Sequence, residues 1–244
     1  MVFHPVTALF LLPVMLLLLE LGRRFRTRHK SPSESTAVEG AIFGLFGLLL
    51  AFTFSGAATR YDTHRELVVE EANDIDVAYL RLDLLRPEDQ PALRQLFRDY
   101  TDSRLRLYNV ILHEVPPETK ELQHEIWERA VAAASAPGAN QDATKLLLPA
   151  LNAMIDIAAR RQNIFEMHPP AVIFLLLFAF SGGSAFLAGY SMNARGHSWF
   201  YMVALTLAVT ATIYATLEIE YPRRGLIRLS DTDRTFINLR NSMN

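Results

Sequence analysis

Glu121, His124, Glu125 and Glu128 stand at i, i+3, i+4 and i+7 of one segment. On a helix that spacing puts three carboxylates and an imidazole on one face, a donor set that can hold a divalent metal. No second ligand cluster accompanies them, and the other histidines (His4, His29, His64, His113, His168 and His197) are scattered. The reading is therefore a solvated helix face, with no metal and no cofactor expected. The chain has no cysteine, which excludes disulfides, thiolate metal sites, iron–sulfur clusters and a thiol nucleophile. It contains no Gly-Lys pair for a phosphate-binding loop, no His-Glu-x-x-His and no Gly-x-Ser-x-Gly. No catalytic residues are assigned, and an enzyme is not expected. The densest polar motif is Arg60-Tyr-Asp-Thr-His-Arg-Glu66, where Asp62 and Arg65 can pair one turn apart. Isolated acids, Glu20, Glu39, Glu218 and Glu220, fall near the ends of apolar runs.

Those apolar runs are what must position the polar groups. They cover Pro5–Leu21, Ala37–Ala58, Ala171–Met192 and Trp199–Leu217. Each has about the length needed to cross about 30 Å of hydrocarbon at a helical rise of about 1.5 Å per residue. Within a bilayer each backbone amide must find its partner inside its own segment, so all four are expected to be helices. The fold class is all-α: an integral membrane protein with four transmembrane helices and a four-helix extramembrane head between spans two and three. The boundaries are 1–58 for the first transmembrane hairpin, 59–168 for the head, 169–221 for the second hairpin and 222–244 for a polar C-terminal tail. The first run lacks a basic stretch before it, and Arg23, Arg24, Arg26, Arg28 and Lys30 follow directly, so it is expected to be an uncleaved span. Pro13 is expected to kink it.

From Thr59 to Arg86 no Gly or Pro interrupts the chain. Span two is thus expected to leave the membrane as one continuous helix, with Val68, Ala72, Ile75, Tyr79 and Leu82 as its buried stripe. Pro87 ends it. A second head helix starts near Pro91 with Leu93, Phe97 and Tyr100 inward, and Pro116-Pro117 stop it. A third covers about Glu118–Ser135, Ala136–Asn140 is a turn, and a fourth covers about Ala143–Glu166. His168-Pro-Pro170 is the joint into span three.

Loop charge bears on orientation. The short loop after span one carries five Lys/Arg and the loop after span three carries Arg195. The positive-inside rule places such loops in the cytoplasm and the head outside. The head's 19 acidic and 13 basic residues count for little in that rule. Arg223, Arg224, Arg228, Arg234 and Arg240 of the tail pull the other way. The balance leans to an extracytoplasmic head on a multi-pass inner-membrane protein. Net charge is −2, with no basic excess for nucleic acid.

Span two carries a stripe of small residues, Gly40, Gly44, Gly47, Ala51 and Ser55, continued by Ala58, within one sector of the helical wheel. Small side chains let helix backbones approach closely in lipid, so this is the expected assembly face of a homo-oligomer. Beside it lie Phe43, Phe46, Leu50 and Phe54. Two readings are open for them: packing and lipid contact, or an apolar constriction that gates a pore by staying dry. In span three, Ser181-Gly-Gly-Ser and Gly189 read as packing positions. Arg60, Asp62, Arg65, Glu218 and Glu220 are expected to form a polar cluster where spans two and four end, with Glu220 held by Arg60 or Arg65.

The run Leu50-Ala-Phe-Thr-Phe-Ser-Gly-Ala-Ala-Thr-Arg-Tyr-Asp-Thr-His-Arg-Glu-Leu-Val-Val-Glu-Glu-Ala-Asn, followed by Ala78-Tyr-Leu-Arg-Leu-Asp-Leu-Leu, resembles the bacterial bestrophin-like domain membrane proteins. The resemblance covers nearly the whole chain. A more distant similarity reaches the bestrophins themselves, which have four membrane segments per subunit and form pentameric ion channels with a hydrophobic neck on the second. Leu50, Phe52, Tyr61 and Glu66 echo the run after that neck, without its Asn and Trp-Trp pair. Glu218, Glu220, Pro222 and Gly225 echo the turn after the fourth segment, without its Phe. The calcium clasp of animal bestrophins has only Ser230-Asp-Thr-Asp233 to set against it. The resemblance implies an oligomeric ion channel, a pentamer by analogy, with inorganic ions and the lipid bilayer as partners and with the head in the cytoplasm. The alternative is a non-conducting membrane sensor or scaffold whose head binds a partner.

Overall fold

The computed structural model describes residues 5–28, 36–109, 117–192, 199–221 and 230–243. Arg195, Lys30, Pro222–Arg228, His4, His29, His113 and His197, invoked above, lie outside them. Among the described residues the regular elements are all helical, and the chain divides into two compact units.

The membrane unit comprises Met1–Tyr61 and His168–Arg228. Its helices are α1 (Leu11–Arg28), the first half of α2 (Thr36–Leu80), α6 (Ala171–Ser191) and α7 (Trp199–Glu220). All four are long and apolar enough to cross a membrane. A 3-10 helix over Pro5–Phe10 precedes α1. The change from 3-10 to α-helix falls at Phe10–Leu11, just ahead of Pro13.

α1 packs along the length of α6 and also touches α7. Glycine permits the closest approach. A Cβ on Gly22 would lie 2.0 Å from the Phe186 carbonyl oxygen, and one on Gly189 would lie 1.9 Å from that of Leu19. Met15, Leu19, Ala185 and Met202 close one buried cluster beside this seam. A second joins Ala8, Phe46, Phe174, Leu177, Ile213, Leu217 and Tyr221. α2 joins this second cluster through Phe46.

The head unit comprises Asp62–Met167 and Leu229–Asn244. It contains the second half of α2, a 3-10 turn over Arg81–Leu84, and then α3 (Gln90–Asn109), α4 (Pro117–Ala134) and α5 (Gln141–Glu166). The link from α4 to α5 turns through Gly138 at φ +81°, and the Asn140 side chain caps α5 by accepting from the Asp142 N–H at 3.0 Å. The core is made by Ile75, Leu82, Leu93, Phe97, Tyr100, Ile126, Leu147 and Leu151. A fifth helix completes it. The stretch read as a polar tail folds over Ser230–Ser242 as α8, and its Phe236 and Leu239, with Met243 just beyond it, are buried in the head core. Tyr79 Oη donates to the Met243 carbonyl at 3.0 Å, and Arg240 Nε donates to Asp102 at 2.7 Å.

Candidate functional site

The membrane half of α2 has two unlike sides. Phe46, Thr53 and Ala57 turn inward and are buried. Gly40, Gly44, Gly47, Ala51 and Ser55 are all exposed. A Cβ added at Gly40, Gly44 or Gly47 would meet nothing within 4 Å. The small-residue stripe is therefore unused inside the protomer. Of the four bulky neighbours, Phe54 is exposed and Phe43 and Leu50 are half-buried. Phe46, the fourth neck candidate, is 6% exposed and packs with Phe174, Leu177 and Ile213, so within the protomer it faces the other spans.

At the end of span two the expected polar pair is present in geometry. The Glu220 carboxylate accepts from Arg60 Nε at 3.0 and 3.1 Å and from Arg60 Nη2 at 2.6 Å. Its side chain is 1% exposed, so the guanidinium fork supplies the charge that makes such burial tolerable. His168 Nδ1 stands 3.4 Å from the same carboxylate, and its ring lies 4.8 Å from that of Tyr221. The histidine of the His-Pro-Pro joint thus joins α2 and α7 at one acid, a role that its isolated place in the sequence did not signal. Glu218 is also buried and is hydrogen-bonded by Tyr214 one turn earlier. Asp62 and Arg65 belong to the head unit, where they line a groove of about 740 Å³ with Glu66, Val69, Glu70, Asn73 and Thr235.

The other end of the spans has its own network. Arg23 and Arg24 both donate to Glu20 at 2.8 Å. Arg26 donates to the carbonyls of Tyr190 at 3.0 Å and Ser191 at 2.7 Å, placing a cation on the last carbonyls of α6 where the helix dipole favours one. The Ser191 hydroxyl donates to Glu39, which is buried in the first turn of α2.

In the head, Glu71 is fully buried between two arginines, Arg104 Nε at 2.5 Å and Arg161 Nη1. Burial works to raise its carboxyl, but the Arg161 and Arg104 charges outweigh burial and hold the group below its usual range. Burial pushes the nearby Tyr100 phenol up to about 12, and its oxygen accepts from Gln123 Nε2 at 3.0 Å. Asp74 is raised, first by burial and then by Glu70 and Glu71. The carboxylate–imidazole face of α4 is exposed: His124 lies 3.2 Å from Glu128, and Glu125 pairs with Arg129 at 2.8 Å. Among the described residues no three metal-type side chains gather into a possible site.

The arrangement is that of a four-span protein with one helix face unfilled in the protomer. The crystal structure of a bacterial bestrophin homologue from Klebsiella pneumoniae, a tyrosine-to-alanine mutant, superposes with a TM-score of 0.73. The match covers 96% of this chain and 99% of that one at 13% sequence identity, a likeness of fold. No curated protein matches in sequence. The bestrophin-like domain matches residues 8–233, and on that extent this four-span, all-helical chain belongs to the bestrophin-like domain family.

Proposed function

We propose that the protein forms an oligomeric ion-conducting pore in the membrane, with α2 next to the axis and Phe54, Phe43 and Leu50 as its apolar neck. One observation carries the reading: the Gly40–Ser55 face of α2 is open in the protomer, with room for a neighbouring backbone at three glycines. Another copy's helix packed there sets Phe43, Leu50 and Phe54 on the flank of the contact, where a ring of apolar side chains excludes hydrated ions. The Klebsiella structure is that of a bestrophin homologue, and the shared fold supports the same architecture here. The bacterial inner membrane is the expected setting. Loop charge leans to a head outside, against the cytoplasmic head that the bestrophin resemblance implies. The five tail arginines also argue against a head outside, and one of them, Arg240, pairs with Asp102 within the head.

Ion flux from liposomes tests the reading. Leu50→Ala and Phe54→Ala should raise flux over wild type without altering particle mass. Wild type and both variants all staying silent across salts, pH and calcium would leave the non-conducting scaffold. The polar groove of the head, with Asp62, Arg65 and Glu66, is the surface on which such a scaffold would seat a partner.

A further inference from the structure

We infer that the membrane rim formed by the end of α1 and the start of α7 binds the headgroups of anionic phospholipids. The binding surface comprises Arg23, Arg24 and Arg26 of α1, with Phe25, Trp199, Phe200 and Tyr201 as its lipid-facing aromatics.

Three features converge there. The first is charge. Arg23, Arg24 and Arg26 share the last turns of α1 with one carboxylate, Glu20. The Arg24 side chain stays 71% exposed even while it touches Glu20. Arg26 is held by α6 carbonyls, which orient the group and leave its charge in place. The second is the aromatic content. Phe25 sits between the arginines, 49% exposed, its ring 6.3 Å from Phe186 and 6.5 Å from Tyr190. Trp199, Phe200 and Tyr201 in the first turn of α7 are 62%, 74% and 69% exposed. Aromatic rings with one apolar and one polar side settle at the headgroup level of a bilayer. The third is that the two sets share a level. Met202 of α7 packs in one cluster with Met15 and Leu19 of α1, so the start of α7 stands beside the turn that carries Glu20–Arg24. Cations spaced among exposed aromatics at the edge of the hydrocarbon complement a phosphate on an acyl anchor. A free phosphate would have no use for the aromatic face.

Trp199 provides the probe. The chain has two tryptophans, and the other, Trp127, lies in the head. The Trp127→Phe protein is reconstituted in mixed phosphatidylglycerol and phosphatidylcholine in which only one lipid carries bromine high on its acyl chains. Trp199 should be quenched by brominated phosphatidylglycerol beyond its mole fraction in the mixture. The relative association constant should fall about fivefold for each charge removed in Arg23→Gln/Arg24→Gln. Glu20→Gln, which removes the counter-charge, should shift it the opposite way by a similar factor. The opposed signs separate headgroup binding from general damage to the fold. Equal quenching by both lipids overturns the inference. So does loss of the preference on adding inorganic phosphate at constant ionic strength, since that would mark a free-phosphate site. The inference stands apart from conduction and is tested in a protein that need not conduct.

Discussion

The membrane unit contains two glycine faces with opposite fates. On α1 and α6, Gly22 and Gly189 are filled to the backbone: a single added carbon would sit about 2 Å from a carbonyl oxygen. On α2, Gly40, Gly44 and Gly47 meet nothing. A glycine removes the side chain that would keep two helices apart in lipid. The difference is which partner is present. The α1–α6 seam is complete within one chain, whereas the α2 face is complete only when something outside the chain covers it. A small residue therefore signals close packing without saying with whom.

The largest expected effect breaks the closed face. Gly22→Leu or Gly189→Leu drives a branched side chain into a backbone and should cost about 3 kcal/mol or more, enough to prevent a folded protomer. Fluorescence-detected size exclusion should show aggregate. Gly44→Leu and Gly47→Leu should instead leave helicity and protomer melting near wild type while lowering the particle mass by light scattering. Equal damage from both pairs would erase the distinction.

The head offers a charged version of the closed face. Glu71→Gln leaves Arg104 and Arg161 facing each other without their buried anion and should cost about 3–5 kcal/mol in thermal or urea unfolding. The carboxyl is depressed in the folded state relative to its ordinary value of 4.5. Its contribution is therefore full above about pH 4.5 and is lost as pH falls through the lower folded value. Wild-type stability should drop over that range. Glu71→Gln should start lower and lose less; an identical pH slope in both would reject the buried ionised triad.

Phe46 and Phe54 sharpen the contrast along a single helix. Phe46→Ala empties a buried cluster and should lower stability by about 3 kcal/mol without raising ion flux. Phe54→Ala should scarcely change melting and should raise flux. The reverse pattern would mean that the inward and outward sides of α2 have been exchanged.

The smallest effect concerns the tie that holds α2 to its own chain. Arg60→Ala and Glu220→Ala should each destabilise, and the double variant should recover about 2 kcal/mol relative to their sum, because neither charge is then left alone. Strict additivity in melting measurements would show that the contact carries no coupling energy.

Much of this organisation is legible in the residues. Four runs of spanning length, the uninterrupted stretch from Thr59, and the stripe from Val68 to Leu82 follow from backbone satisfaction and helical period. The rotation of α2 is not legible, because an all-apolar helix offers no periodic signal to say which side faces protein; this is why Phe46 read like Phe54. Gly22 is one glycine without a spaced partner in its own helix, so its contact with α6 left no pattern. Glu71 sits in an acidic pair with Glu70, and only folding brings Arg104 and Arg161 to one of the two. α8 escaped notice because three apolar residues in a short polar stretch make a helix only when a core is already there to receive them.

An image of the lipid-reconstituted particle tests directly whether the open face of α2 is the face between copies. A closed ring is predicted, with the α2 helices innermost and Gly44 and Gly47 against the neighbouring copy's helix. A single protomer in lipid, or an assembly that leaves those glycines against acyl chains, would contradict it.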